Sequence, residues 1–198
     1  MIAKKCIHIA LFPLPFLILS LFLIHFHHLA IIPFFLLLLL QIFFLYFFRD
    51  VERHIEDGII SPADGKVLYA GRHSVSIFMS IFDMHVNLMP YDGKIVSMKH
   101  IQGSHKPAYG DVEKNERMEI EIDSNIGRIK LIQIAGVFAR RVVPYIKEGD
   151  FVKKGEKIGI IRFGSRVEII LPESCQVVAG EGKKIKAGEK IAEIKQQN

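Results

Sequence analysis

The chain has 198 residues, half of them hydrophobic, and carries a formal net charge of +5. The hydrophobic residues are concentrated near the N-terminus. No Asp, Glu, Lys or Arg lies among the 43 residues between Lys5 and Arg49, and ten of the 15 Phe fall in the first 50 residues. This distribution excludes a wholly soluble protein and a disordered chain, and two cysteines are too few for a disulfide scaffold. The remaining chain, from Val51 onward, is long enough for a hydrophobic core.

The charged residues outside the apolar segment form no pattern typical of a nucleic-acid or metal site. Lys and Arg are interleaved with Glu and Asp, as in DFVKKGEKIG, without a basic stripe or an aromatic-basic RNA-binding motif. Cys6 and Cys175 lie far apart and no CxxC pair is present, which favours two unpaired thiols in a reducing compartment. We therefore expect neither nucleic-acid binding nor a bound metal.

The apolar segment is long enough to cross a membrane twice. A spanning helix needs about 20 apolar residues, and the segment supplies two spans, Ile7–Ile24 and Leu29–Phe48, joined by the turn His25–His28. Basic residues flank only the outer ends, so the positive-inside rule places both ends in the cytoplasm. The sequence therefore predicts residues 1–50 as an anchor in the cell (inner) membrane and residues 51–198 as a domain on its cytoplasmic side.

A cleaved signal peptide is the alternative interpretation of the same segment. The Lys-Lys start fits one. A second apolar span follows directly, however, and no small-residue cleavage site is clear. The membrane anchor is therefore the favoured interpretation.

From Ile59 onward, short β-branched runs are separated by Asp-Gly, Gly-Asp and Lys-Gly turns, and no helical period is clear. Two internal repeats are present. GDFVKKGEKIGII (149–161) matches GKKIKAGEKIAEI (182–194), and PADGKV (62–67) matches PYDGKI (90–95). Paired hairpins of this kind occur in lipoyl- and biotinyl-type domains. The sequence therefore predicts a mostly β, barrel-sandwich-hybrid-like domain behind a two-helix transmembrane hairpin.

Gly164 and Ser165 lie between the two hairpin repeats. A Gly-Ser pair is usually an ordinary turn or bulge. A serine hydroxyl can also attack the preceding carbonyl and convert the amide to an ester, and glycine leaves that carbonyl open. β-Elimination and hydrolysis would then leave an N-terminal pyruvoyl group. Such a serine needs a base within hydrogen-bond reach and a partner that orients the base.

Candidate partners of this serine lie in the segment FDMHVN. In an extended chain Asp83, His85 and Asn87 share one face, and the other face carries Phe82, Met84 and Val86, which can enter the core. A histidine beside a carboxylate suits acid–base work near neutral pH, although the same alternation fits the polar face of an ordinary strand. Asp64, in SPADG, is by itself most simply a turn residue.

Seven segments between residues 47 and 172 occur in a distinctive order: FFRDVER, SPADGKV, FMSIFDMHVNLMP, NERMEIEI, IQIAGVFARRVVPY, GDFVKKGEKIG and FGSRVEIILP. Together with the preceding two-span anchor, they resemble the short form of the phosphatidylserine decarboxylase proenzyme family. The resemblance implies self-cleavage between Gly164 and Ser165. This would give a β chain of residues 1–164 and an α chain of residues 165–198 that starts with a pyruvoyl group.

The resemblance also implies a reaction. The pyruvoyl cofactor derived from Ser165 would react with the amine of phosphatidylserine and withdraw electrons from the bond to the carboxylate, so that carbon dioxide leaves and phosphatidylethanolamine forms. An ether-linked archaeal serine lipid has the same head-group chemistry. His85 matches the family's acid–base histidine, Asp83 its neighbouring carboxylate, and Asp64 the aspartate implicated in self-processing. We also expect a membrane-embedded homo-oligomer.

Two departures from the family pattern affect these roles. Many relatives have a second histidine, usually assigned as the processing base, where this chain has Leu88. His85 is then a candidate for both steps, with Asp64 or Asp83 orienting it. Relatives also often have Leu-Gly-Ser-Thr at the cleavage site, where this chain has Phe-Gly-Ser-Arg.

Arg140 and Arg141 are the candidate substrate-binding residues. Their guanidinium groups are suited to the lipid phosphate or the serine carboxylate, and equally to a role as solvated charges at the membrane rim.

Two other classes of protein fit parts of the sequence. A membrane-anchored lipoyl- or biotinyl-type carrier would need a modifiable lysine between the hairpin repeats, where this chain has Ser165. A zinc hydrolase could use His85, His100 and His105, but their spacing fits no common zinc motif.

Overall fold

The computed structural model describes residues 1–104, 106–136, 142–162 and 165–195. The chain divides into two compact units, Met1–Val51 and Glu52–Asn198. The first unit contains three helices, α1 (Ile7–Ala10), α2 (Leu14–Ile24) and α3 (Ile31–Phe47), with a 3₁₀ turn at His28–Ala30 before α3.

The structure has two apolar helical segments where the sequence predicts them. Ile7–Ile24 and His28–Phe47 are long and apolar enough to cross a membrane. The first span is interrupted between α1 and α2, because Pro13 and Pro15 lack the N–H groups that a continuous helix requires.

The two outer ends of the helical unit lie side by side. The Ala3 N–H donates to the Phe48 carbonyl oxygen at 2.8 Å, and the Asp50 N–H donates to the Met1 carbonyl oxygen at 2.7 Å. This pairing gives the unit the form of a helical hairpin, with the two ends of the unit on the same side, as the sequence predicts.

The break before Pro13 leaves the Ala10 carbonyl without a helical donor, because the Leu14 N–H donates to Leu11 instead. Gln41, on α3, supplies the donor: its buried Nε2 lies 2.8 Å from the Ala10 carbonyl oxygen. An unpaired carbonyl in an apolar environment costs several kcal/mol. The one amide side chain of α3 therefore stabilises the interrupted helix.

The second unit is built from strands: β1 (Ile59–Ile60), β2 (Gly65–Ala70), β3 (Ser74–Met79), β4 (Val86–Leu88), β5 (Gly93–Ile101), β6 (Arg117–Ser124), β7 (Gly127–Ala135), β8 (Val142–Pro144), β9 (Phe151–Val152), β10 (Lys157–Ile161), β11 (Ser165–Ile170), β12 (Cys175–Val177), β13 (Lys184–Ile185) and β14 (Lys190–Ile194). The mostly β prediction is confirmed. Turn chemistry and β-branched runs explain where most of these strands begin and end.

The strands form three sheets, and none closes into a barrel within the residues described. One sheet has eight strands in the order β13-β2-β3-β11-β7-β6-β5-β9, and the other two have the orders β4-β10-β8 and β1-β14-β12. Neighbouring strands are antiparallel. The inward faces supply one hydrophobic core, which includes Ile77, Ile120, Leu131, Val167 and Ile191.

The internal repeats correspond to a repeated set of backbone hydrogen bonds. The Gly155 N–H donates to the Met89 carbonyl at 2.9 Å, and the Gly188 N–H donates to the Ser61 carbonyl at 3.0 Å. In return, the Met89 N–H donates to the Glu156 carbonyl and the Ser61 N–H donates to the Glu189 carbonyl. Each hairpin repeat is therefore held by one of the Pro-x-Asp-Gly repeats, and we call this set of bonds the hairpin clasp.

The clasp extends to the aspartates of the Pro-x-Asp-Gly repeats. Asp92 Oδ1 accepts from the Lys154 N–H at 2.6 Å. Asp64 Oδ1 accepts from the Ala187 N–H at 2.9 Å. Both aspartates therefore cap the turn of the hairpin that their segment holds.

Gly182 and Gly188 both lie in the hairpin repeat 182–194, and they offer a matched test of how its turn is held. Both have a positive φ, +94° and +79°. A Cβ on Gly188 would lie 2.3 Å from the His54 carbonyl oxygen, whereas a Cβ on Gly182 would meet nothing within 4 Å. We expect Gly182→Ala to lower the free energy of unfolding by about 1 kcal/mol, the cost of the backbone conformation, and Gly188→Ala by about 2–4 kcal/mol. Urea denaturation in detergent measures both, and equal losses would contradict this account of the turn.

Candidate active site

Ser165 is the first residue of β11, a central strand of the eight-stranded sheet. It lies opposite Met79 of β3 on one side and Ala135 of β7 on the other. Ser165, Val167 and Ile169 point into the core and are fully buried. The Ser165 hydroxyl has no hydrogen-bond partner among the described residues.

Arg166 points to the opposite face of the sheet, as the alternation of β11 requires. Its Nε donates to Ser76 Oγ at 2.6 Å, and its Nη2 lies 2.6 Å from Glu168 Oε1. The departure from the family's Gly-Ser-Thr pattern therefore places no charge on the face that Ser165 occupies.

A cavity of about 670 Å³ lies on this outer face, lined by Arg166 and Glu168, by residues 110–113, and by Arg117 and Glu119. Hydrogen bonds from Lys130 and Arg117 hold the pKa of the Glu119 carboxyl below its usual value. The cavity and its charges are on the opposite side of β11 from the Ser165 hydroxyl, so the cavity is not the candidate active site.

The segment after β3 does not have the extended conformation that the sequence predicts. Asp83 Oδ2 accepts from the Ser80 N–H at 2.8 Å and from the Ser80 hydroxyl at 2.6 Å, which closes a turn. Met84 and Val86 are buried in agreement with the sequence, whereas Phe82 is 64% exposed at this turn. The prediction of one continuous polar face was therefore wrong, because the Asp83 carboxylate binds its own turn.

His85 follows this turn and is fully buried. Its Nδ1 lies 2.9 Å from the Asp83 carbonyl oxygen. A carbonyl can only accept, so Nδ1 is the donor of this hydrogen bond and carries a proton. Asp83 therefore orients His85 through its backbone and not through its carboxylate.

Two contacts place His85 near the chain that leads to Ser165. The Ile161 N–H, at the end of β10, donates to the His85 carbonyl oxygen at 3.2 Å. Met79, the last residue of β3, lies opposite Ser165, the first residue of β11. The segment that carries His85 is therefore tied to β10 through the His85 backbone, and β3, which leads into that segment, is paired with the start of β11.

Asp64 is more than a turn residue. Besides the Ala187 N–H, its carboxylate binds the Arg53 guanidinium, and the Met84 N–H lies 3.4 Å from Oδ2. Asp64 is buried. It therefore ties the backbone just before His85 to the hairpin of residues 182–194.

Two buried amide side chains join the eight-stranded sheet to the β4-β10-β8 sheet. The sequence did not indicate that these two residues form a pair. Gln133 Nε2, on β7, donates to Asn87 Oδ1, on β4, at 2.7 Å. Asn87 Nδ2 lies 3.7 Å from Met79 Sδ. The signal for Gln133 was present in the sequence, as a polar residue at an inward position of the strand GRIKLIQIA. Leu88, where relatives have a second histidine, is buried.

Several predicted site residues, namely Gly164, Arg140, Arg141 and His105, lie outside the described residues. Within the described ranges, no group of three or more His, Cys, Asp or Glu side chains could hold a metal ion. His100 instead pairs with Glu116 at 2.9 Å.

Comparison with known proteins identifies the family. The family model described as Phosphatidylserine decarboxylase matches residues 40–74 and 68–193. A protein of Archaeoglobus fulgidus, provisionally named an archaetidylserine decarboxylase proenzyme, is 50% identical over 151 residues, which cover 76% of this chain and 77% of the relative.

Two bacterial relatives are named phosphatidylserine decarboxylase proenzymes. The Streptomyces griseus protein is 49% identical over 151 residues, covering 73% of this chain and 70% of its own. The Chlorobium phaeobacteroides protein is 44% identical over 165 residues, covering 76% of this chain and 78% of its own. This similarity decides against the carrier and the zinc hydrolase. The chain belongs to the phosphatidylserine decarboxylase family and is a decarboxylase made as a proenzyme.

Proposed function

We propose that this chain is a membrane-anchored decarboxylase of serine phospholipids that matures by cleaving itself between Gly164 and Ser165. The observation that carries the proposal is the buried Ser165 hydroxyl at the head of a central strand, in a chain of this family. The names of its relatives specify phosphatidylserine or archaetidylserine. These lipids share the serine head group, so the substrate class is a phospholipid with that head group.

The proposed cleavage uses only atoms of the chain and water. Ser165 Oγ bonds to the Gly164 carbonyl carbon, the bond from that carbon to the Ser165 nitrogen breaks, and the hydroxyl proton ends on the released amine. Loss of the Ser165 Cα proton to a base then breaks the Cβ–O bond and frees the Gly164 carboxylate. Water adds to the remaining unsaturated residue and ammonia leaves, which gives the pyruvoyl group.

The surroundings of Ser165 fit a small pyruvoyl group. The flanking positions on β3 and β7 are the apolar residues Met79 and Ala135, and β11 is held by both neighbours. When formed, the group supplies an electron sink for loss of the substrate carboxylate. The protein's other contribution is to bind the head group, exclude water and supply protons.

In this proposal His85 supplies the proton that replaces the carboxylate on the substrate Cα. Its Nδ1–H is held by the Asp83 carbonyl, so protons enter and leave at Nε2. Asp83 positions His85 by closing the turn with Ser80. Asp64 acts through the Met84 backbone. Arg140 and Arg141 are proposed to bind the lipid phosphate or the serine carboxylate.

The helical unit is proposed to anchor the enzyme in the membrane that contains its substrate. Basic residues lie at both outer ends of the helical hairpin, Lys4 and Lys5 at one end and Arg49 at the other. The pairing of these ends supports insertion from the cytoplasmic side. The β domain then faces the cytoplasm.

The first prediction concerns maturation. After expression in a foreign host, intact mass should show two fragments, 1–164 and 165–198, and the smaller one should lack a free α-amine. The fragments should co-purify until a denaturant is added, because β11 and the second hairpin remain held by strands of the larger fragment. We expect Ser165→Ala to give one chain without activity, and Ser165→Thr to cleave slowly because its β-branch restricts χ1. An active enzyme that consists of one full-length chain would refute the proposal.

The second prediction concerns His85. General acid–base assistance is worth about 10²–10⁴-fold in rate, so His85→Gln should reduce carbon dioxide release from serine-lipid vesicles by at least about 10²-fold. With Leu88 in place of the second histidine, we expect slower cleavage as well. His100→Gln is the control, because His100 pairs with Glu116 on another part of the domain. If His85→Gln turned over lipid normally while His100→Gln did not, the assignment of His85 would be wrong.

The third prediction concerns the anchor. Deletion of residues 1–46 should move the protein toward the soluble fraction and leave cleavage at Gly164 intact, since the β domain is a separate compact unit. Fractionation and a denaturing gel measure both effects. A truncated chain that stays folded but no longer cleaves would show that the helices contribute to the site.

A further inference from the structure

Ser165 Oγ, on β11, and Gln133 Oε1, on the neighbouring β7, are among the buried polar atoms that lack hydrogen-bond partners among the described residues. Both residues are fully buried. A buried polar group without a partner costs about 1–3 kcal/mol. One of these atoms belongs to a hydroxyl, which can donate, and the other is an amide oxygen, which can only accept.

The register places these two side chains together on the core face of the sheet. Ser165 lies opposite Ala135, and Val167 lies opposite Gln133. Ser165 and Gln133 are therefore diagonal neighbours on adjacent strands, with Cα atoms roughly 7–8 Å apart, a separation that a long side chain can bridge.

Asn87 holds the Gln133 amide in place. Its Oδ1 accepts from Gln133 Nε2 at 2.7 Å, and its Nδ2 lies against Met79 Sδ. Met79 and Gln133 belong to the two strands that flank β11, so an amide that contacts both lies over β11 near Ser165. Because Nε2 is engaged by Asn87, the atom that Gln133 can offer to Ser165 is Oε1.

We propose that Gln133, oriented by Asn87, is a positioning residue for self-cleavage: a change of side-chain rotamer lets its Oε1 accept a hydrogen bond from the Ser165 hydroxyl and position that hydroxyl for attack on the preceding carbonyl. This inference rests on the proposed function. Gln133 takes no proton in the step: the hydrogen bond to Oε1 orients the hydroxyl before attack, and as Ser165 Oγ bonds to the carbonyl carbon the proton leaves that hydrogen bond and ends on the released Ser165 amine. The role is to fix one rotamer of the hydroxyl, and a misplacement of reacting groups by about 1 Å can cost about 10²-fold in rate.

The test follows cleavage of newly made full-length chain with time on a denaturing gel. Gln133→Met keeps the side-chain length but removes the acceptor, and Gln133→Glu keeps an acceptor. Gln176→Met, at an exposed position of β12, is the matched control. We expect Gln133→Met to slow cleavage by about ten-fold or more and Gln176→Met to leave it unchanged. We expect Gln133→Glu to cleave faster than Gln133→Met, with a rate that rises with pH as the carboxyl ionises.

A purely structural role for Gln133 predicts the opposite order. Burying a carboxylate in place of an amide damages packing more than burying a methionine, so Gln133→Glu would then be the slower variant at every pH. Thermal unfolding of each variant in the uncleavable Ser165→Ala chain shows which variants are folded. If Gln133→Met does not fold, Asn87→Asp and Asn87→Leu decide. Asn87→Asp keeps the acceptor for Gln133 Nε2, so this variant should be cleaved faster than Asn87→Leu. The reverse order would overturn the proposal.

The outcomes separate this inference from the function on which it rests. If the unmodified chain is never cleaved, the proposed function fails. If the unmodified chain is cleaved and folded Gln133→Met is cleaved at the same rate, only the role of Gln133 fails.

Discussion

The hairpin clasp is the interaction on which the rest of the β domain depends. Two short Pro-x-Asp-Gly segments each hold one hairpin through paired backbone hydrogen bonds, and the aspartate of each segment caps the turn of that hairpin. The segment between the hairpins, which includes the Gly164–Ser165 bond, is thus fixed at both ends by other parts of the chain. Because each hairpin is held independently, breaking the connection between them removes none of the hydrogen bonds that hold either one.

The candidate site lies where the two repeats differ. Asp92 and Asp64 make the same capping contact, but Asp92 is exposed, whereas Asp64 is buried and also binds Arg53 and approaches Met84. Met84 precedes His85, so Asp64 both caps a hairpin turn and holds the backbone next to the candidate acid–base residue. The duplicated elements supply the scaffold here, whereas Ser165 and His85 lie outside the repeated segments.

The sequence was sufficient for those features that depend on local pattern. Turn glycines, β-branched runs and the repeats indicated the mostly β domain, and apolar length indicated the two helices. It was insufficient where a side chain could bind either locally or at a distance. Asp83 closes a turn with Ser80, three residues away, so simple alternation gave the wrong surroundings for Phe82. Asn87 and Gln133 meet across 46 residues of chain, and their pairing follows only from how two sheets pack.

The position of β11 in the sheet has a consequence for the order of events during folding. β11 lies between β3 and β7, which do not pair with each other, so without it the large sheet is two separate pieces. These contacts join residues that are distant in sequence, and contacts of this kind form slowly. The environment of Ser165 therefore exists only once both pieces have been joined. Cleavage that requires this environment would act as a chemical record of completed folding, and a chain trapped as an intermediate would remain a precursor without reactive carbonyl chemistry.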